Sequence, residues 1–145
     1  MPARIRSLEE LAELVSRARS ELYVRWTDDI ERDLRTGTSR DELMGIELPG
    51  LSVNPLALEI WWGDRPTTTW VARRLYDYRH LLGVRGPGTR PWVVIGRPCG
   101  RGPDNEPLIT DCEVIAEIDA AVADRATEIV DGIGRDNWGP LDRTG

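Results

Sequence analysis

The strongest constraint on the fold is a pair of apolar stretches, "PWVVIG" at 91–96 and "PLITDCEVIAEI" at 107–118, separated by residues dense in glycine and proline. Such runs bounded by turn residues read as strands, and their closeness in sequence suggests antiparallel partners. The link, "GRPCGRGPDNEPLI" from Gly96 to Ile109, sets two arginines, a cysteine, an aspartate, an asparagine and a glutamate among three glycines and three prolines. A hairpin turns in two to five residues; this one is expected to spend about nine. Pro98, Pro103 and Pro107 should stiffen it, and Gly100 and Gly102 permit close backbone approach.

Elements on either side extend the pattern. "SLEELAELVSRARS" opens with Ser7 and carries Glu10 three residues on, a capping box, and Leu8, Leu11, Leu14 and Val15 recur at helical spacing. A first helix over 8–19 follows. "ELYVRWT" alternates Leu22, Val24 and Trp26 with Tyr23 and Arg25 and reads as a strand with one buried face. Asp28 is placed to cap a short helical turn, "DIERDL", and "TGTS" ends it. From 39 to 65 neither period persists, and the apolar content points to ordered coil wrapping the core, with a short strand or turn near "ALEIWW". Asp64 stands as N-cap, Pro66 falls in the first turn, and Val71, Leu75, Tyr78 and Leu82 form the stripe of a second helix over 66–81. "DAAVADRATEIV" reads as a third helix with Ile118, Val122, Ile129 and Val130 on one side, stopped by Gly132 and Gly134.

This order implies an α+β domain: a small, mostly antiparallel sheet of three or four strands with about three helices on one face. An α/β arrangement is the alternative, but only the second helix joins strands as a parallel crossover would. Residues 1–131 are expected to form the domain, with 132–145 a loosely attached tail in which Trp138 could dock. No apolar run is long enough for a membrane span and the N-terminus lacks the apolar core of a signal peptide, so a cytoplasmic protein is expected. Cys99 and Cys112 are too few for a disulfide framework, although their place on one hairpin leaves pairing open.

Five stretches, "LYVRWT", "LPGLSVNPL", "WWGDRP", "WVARRLYDYRHL" and "GRGPDNEPL", resemble a family of small actinobacterial proteins, a domain of unknown function. They span Leu22 to Leu108. The resemblance implies one intact domain and carries no activity, cofactor or catalytic residue with it.

Charge is distributed unevenly. Residues 1–64 hold 8 arginines against 13 acids, 65–101 hold 8 against Asp77 alone, and 102–145 hold 3 against 11. All 19 basic residues are arginine, and the chain has a net charge of −6. The basic middle could pair with the acidic ends inside one fold, each exposed pair adding little. Alternatively its arginines converge on an anion, which a planar guanidinium can grip through a fork of donors. Duplex nucleic acid is disfavoured for a net-acidic chain without a basic arm.

Three places could carry chemistry. On the second helix Arg73, Asp77 and His80 lie at i, i+4 and i+7 with Tyr76 beside them, off the apolar stripe. His80 is the only histidine, so imidazole acid–base work would need it, oriented by Asp77; the plainer reading is an ion pair on a solvated face. At the helix start, Asp64 serves as a cap, Arg65 stands where an anion would be welcome, and Trp61 and Trp62 could stack on a ring or fill the core. In the loop, Arg97, Arg101, Asp104, Asn105 and Glu106 either meet a ligand or satisfy their own backbone through Asx turns. Cys99 between two arginines reads as an inert thiol. No metal-ligand spacing, phosphate loop or dinucleotide fingerprint occurs, so no cofactor or metal is expected.

The leading expectation is therefore a pocket for a small anionic or polar molecule. Arg65, Arg73, Arg97 and Arg101 would hold charge, Trp61 or Trp62 would stack, and Asp77 with His80 or Glu106 would be the acid–base pair if there is catalysis. The rival is a regulatory or immunity-like module whose tryptophan-bearing loop meets a protein partner. An exposed apolar patch near Trp61 would favour the rival, and a concave pocket the first.

Overall fold

The computed structural model describes residues 3–38, 47–78, 88–103 and 105–133. In chain order the elements are β1 (Ala3–Ile5), α1 (Leu8–Arg17), β2 (Tyr23–Thr27), α2 (Ile30–Thr36), β3 (Leu51–Ser52), β4 (Asn54–Pro55), a 3-10 turn (Ile60–Trp62), α3 (Thr67–Tyr78), β5 (Arg90–Arg101), β6 (Pro107–Ile118) and α4 (Ala120–Ile133). The six strands form one sheet in the order β1-β6-β5-β2-β4, with β3 also on β6. β1 runs parallel to β6 and every other pairing is antiparallel. The α+β class stands, but the sheet is larger than expected and mixed. The parallel edge strand was invisible in sequence, because three residues beside a helix show no period of their own.

The first helix begins where its capping box puts it: Ser7 Oγ accepts from the Glu10 amide at 3.1 Å. Leu8 and Leu11 then enter the core. They meet Trp70, Val71 and Leu75 of α3, Val122, Ala126 and Val130 of α4, and Val24, Trp26, Val93, Ala116 and Ile118 from the sheet. Burying each large aliphatic side chain stabilises the fold by about 1.5–3 kcal/mol. α3 packs against both α1 and α4, so it is the central helix of this layer.

The other face of the sheet is also covered, against the expectation that all helices lie on one side. Tyr23, Val94 and Ile109 pack there with Leu51 and Val53, and Ile30 of α2 leans on the same cluster. Double coverage explains why all five residues of β2 are buried where the alternation promised one buried face. α2 is capped by Asp29, whose carboxylate accepts from the Arg32 amide at 3.0 Å. Asp28, the expected cap, pairs instead with the Arg32 guanidinium at 2.9 Å. Gly37, at φ 67°, closes the helix with its amide on the Asp33 carbonyl, a left-handed stop that glycine adopts without penalty.

The largest revision concerns the glycine–proline link. It is not a nine-residue loop: β5 continues to Arg101 and β6 starts at Pro107, leaving Gly102–Glu106 as the turn. The pairs Arg97↔Thr110, Pro98↔Ile109, Gly100↔Leu108 and Arg101↔Pro107 carry the ladder through it, with irregularities between Val93 and Val94, Ile95 and Arg97, and Pro98 and Gly100. Bulges absorb the residues that read as turn formers. α3 begins at Thr67, and the Pro66 carbonyl accepts the first amides, from Thr69 and Trp70. Pro66 thus holds the cap position, and Asp64 lies two residues upstream of it. α4 passes through Gly132, so that glycine does not stop it. Leu82 and the tail from 134, with Trp138, lie outside the described residues.

Candidate functional site

The turn leading into α3 is built on tryptophan. Trp62 and Trp70 are buried and Trp61 is half-buried, and the three rings meet edge to face at centroid separations of 5.3–5.9 Å. Each indole N–H has an acceptor: Trp61 donates to Glu59, Trp62 to the Arg65 and Pro66 carbonyls at 3.2 and 3.3 Å, and Trp70 to the Leu56 carbonyl at 2.8 Å. A buried indole with its donor satisfied is strongly fixed. Arg65 lies over the Trp62 ring at 4.0 Å and donates through Nε to the Trp62 carbonyl at 3.1 Å. The expected anion holder is thereby folded back onto the turn that carries it. Asp64 is exposed beside it.

That scaffold presents apolar surface outward. Ile60 is 99% exposed and Leu58 40%, while Trp62, two residues past Ile60, is 3% exposed. The Trp62 amide bonds the Glu59 carbonyl and the Gly63 amide bonds the Ile60 carbonyl, closing the 3-10 turn around Ile60. Gly63, at φ 70°, makes the exit from that turn possible.

On α3 the expected polar face is interior. Arg73 is 2% exposed and pairs with Asp77 at 2.7 Å, with its guanidinium 5.8 Å from the Tyr76 ring. Tyr76 is buried as well. The Arg-Asp spacing read from sequence is real, but the pair is buried, its side chains 3% and 9% exposed, rather than turned to solvent. His80 lies outside the described residues.

In the ribbon, Arg97 is 80% exposed at the side chain and stands 3.6 Å from the Asp111 carboxylate. Arg101 donates to the Asn105 carbonyl at 3.0 Å, and Glu106 accepts from Ser52 Oγ at 3.2 Å and, through its carbonyl, from the Gly102 amide at 2.9 Å. Asn105 takes φ 62°, which its short polar side chain tolerates. These groups satisfy their own turn. Asp104 lies outside the described residues.

The structure therefore joins Trp61, Trp62 and Arg65 in one cluster, Arg73, Tyr76 and Asp77 in a second, and Arg101, Asn105 and Glu106 in a third, with Arg97 on Asp111. Among the described residues these groups have separate partners. The charge pattern follows the plainer reading in part: Arg90 of the basic middle bonds Glu117 at 3.0 Å, Arg4 bonds the other oxygen of that carboxylate at 3.1 Å, and Arg97 meets Asp111. Burial works to raise the Glu117 carboxyl, but hydrogen bonds from Arg90 and Arg4 outweigh it and hold the group below its ordinary value.

Sequence reasoning missed the second face. Arg25 and Asp33 form an ion pair at 3.0 Å with side chains 6% and 3% exposed, and Arg25 also donates to the Ser52 carbonyl at 2.8 Å. Arginine in an alternating strand looked like a solvated position; only α2 folding over it reveals the pair. Nearby, a shallow cleft of about 210 Å³ opens between the end of α2 and β6, lined in part by Arg35, Thr36, Leu51, Thr110, Asp111 and Cys112. None of the residues expected to form a site lines it. Burial pushes the Cys112 thiol up to about 11, so it is a neutral wall at ordinary pH. Cys99 and Cys112 are both free thiols. No described helix is long and apolar enough to cross a membrane, and no group of three metal-ligating side chains gathers among the described residues.

Fold and surface together define a small α+β domain with a tryptophan-braced apolar turn and an arginine-bearing β-ribbon. Its helices shield one face of a mixed sheet fully and the other through α2. The chain belongs to a family of unknown function, DUF6098, matched over residues 2–139. Neither a curated protein nor a solved structure matches it.

Proposed function

We propose that this domain is a protein-interaction module that binds through the turn from Ala57 to Arg65. The observation that carries the reading is Ile60, a β-branched apolar side chain left 99% exposed at the tip of a turn. Burying it in a partner would recover roughly 1.5–3 kcal/mol that folding alone forgoes. The three tryptophans hold the turn rigid beforehand, which lowers the ordering cost of association. Leu58 and the half-buried Trp61 extend the apolar area, and exposed Glu59 and Asp64 give it an acidic rim. The complementary surface is an apolar socket with basic or donor groups at its edge. The arginine arrangement gives no support to a common anion pocket, since the guanidiniums are engaged at separate places.

Affinity purification from the native host with wild-type and Ile60→Ser protein tests this. A stoichiometric partner retained by wild type and lost by the variant, with the urea midpoint unchanged, is expected. A partner held equally by Ile60→Ser would refute the turn as the contact.

A further inference from the structure

A second surface is independent of that turn. β5 runs twelve residues, but β2 covers its outer edge only from Arg90 to Val94. From Ile95 to Arg101 β6 lies on one side, and among the described residues no strand lies on the other. Among the described residues no backbone hydrogen bond outside the ladder reaches this segment either, and Arg97, Pro98, Cys99, Gly100 and Arg101 are all exposed. An unpaired edge presents alternate N–H and C=O groups ready to template another chain. At about 3.3 Å per residue the segment offers roughly 20 Å of it.

We propose that this edge of β5 binds an extended acidic segment of a partner protein by strand addition. Main-chain bonds would supply the pairing, as in other edge-recognition modes. The sign of the occupant follows from the side chains: Arg97 and Arg101 flank Cys99 at either end of the exposed stretch, and Arg97 is only loosely held, at 3.6 Å from an exposed Asp111. A second copy of the same edge is a poorer occupant. Bringing two such edges together would gather two pairs of exposed guanidiniums, one on each face of the ribbon, and like charges across a strand pair are destabilising. Pro98 removes one donor, and the irregularity between Pro98 and Gly100 twists the strand, which limits pairing to a short segment and guards against open-ended aggregation.

The test uses the full chain and three synthetic heptapeptides: Val-Glu-Glu-Val-Glu-Glu-Val, which shows glutamate on both faces as Arg97 and Arg101 require, the same peptide with lysine for glutamate, and the glutamate peptide with prolines replacing the valines. Backbone amide exchange and NMR shift perturbation are read residue by residue. In the unliganded protein, alternate amides among 95–101 should exchange far faster than those paired to β6. The glutamate peptide should slow them and perturb 95–101, leaving the signals of 57–65 unchanged. The proline peptide, which loses the N–H donors of the valine positions and cannot complete a ladder, should bind weakly. Arg97→Glu with Arg101→Glu should weaken the glutamate peptide by about tenfold, from two exposed charge contacts of roughly 0.5–1 kcal/mol each, and shift preference to the lysine peptide. The proposal fails if every amide in 95–101 is already protected, or if no peptide binds. It fails equally if the proline or lysine peptide binds as well as the glutamate one, or if protection rises with protein concentration alone.

Discussion

Asp33→Ala is the most informative single change. It removes the partner of Arg25, whose guanidinium is 6% exposed and stands 3.0 Å from the carboxylate. At that separation, and an effective dielectric of about 20, the attraction is on the order of 5–6 kcal/mol. Much of it offsets the cost of desolvating two ions, so the intact pair adds little net stability. Losing one partner is different, because the remaining charge stays buried; such deletions cost about 3–5 kcal/mol. The Ser52 carbonyl still accepts from Arg25 at 2.8 Å, which favours the lower half of that range. For a domain of this size each kcal/mol shifts the midpoint by about 2–4 °C, so a fall of roughly 6–15 °C is expected. Urea unfolding followed by tryptophan fluorescence measures the loss. The double variant Arg25→Met with Asp33→Leu should recover at least half of it; the Ser52 carbonyl then loses its donor, which prevents full recovery. A loss under about 1 kcal/mol for Asp33→Ala would refute the argument, because it would mean that water reaches Arg25 without cost.

Two further outcomes follow from titratable groups. With its carboxyl held below the ordinary glutamate value of 4.5, Glu117 contributes stability that is present above that value and is lost as pH falls through its lower folded value. Arg4 and Arg90 are both well exposed, so the contribution should not exceed about 1 kcal/mol; the urea-midpoint gap between wild type and Glu117→Gln at pH 7 should narrow steadily as the pH is taken below 4.5, and a gap indifferent to pH would refute the linkage. Alkylation at pH 8 should modify exposed Cys99 quickly and half-buried Cys112, with its thiol raised to about 11, far more slowly. Fast native labelling of both would overturn the second-face packing.

What sequence could disclose was local. The capping box at Ser7 fixed the start of α1 because both of its partners lie within four residues, and the stripe Val71 and Leu75 placed α3 for the same reason. The β5–β6 pairing was legible in its apolar half. Its distal half was not, since glycine and proline signal a turn unless a partner strand supplies the other side of the ladder, and that information sits about ten residues away. β1 shows the limit more sharply: three residues become a strand only because Ala116–Ile118 lie beside them. The surroundings of the expected site residues were illegible on the same ground. Arg73 and Asp77 were correctly paired by spacing, but whether a helix face meets solvent or protein is a tertiary fact, and this pair is buried.

The arginine excess between 65 and 101 reads differently once its partners are known. Arg90 and Arg97 reach carboxylates from the acidic final third, Arg73 keeps to the one acid of its own segment, Arg65 lies over Trp62, and Arg74 donates to the Pro55 carbonyl at 3.0 Å. Charge that looks like a ligand field along the chain is in large part the means by which three segments are tied to one another. Such ties tune register and specificity more than affinity for an outside molecule. What the ties leave over is an apolar tip braced by tryptophan and a strand edge bearing two exposed guanidiniums, the first suited to a socket and the second to an extended chain. On the readings proposed above both would meet macromolecules, and neither encloses a small molecule. The choice between interaction module and small-molecule binder therefore turns on shape, with charge count a poor guide to it.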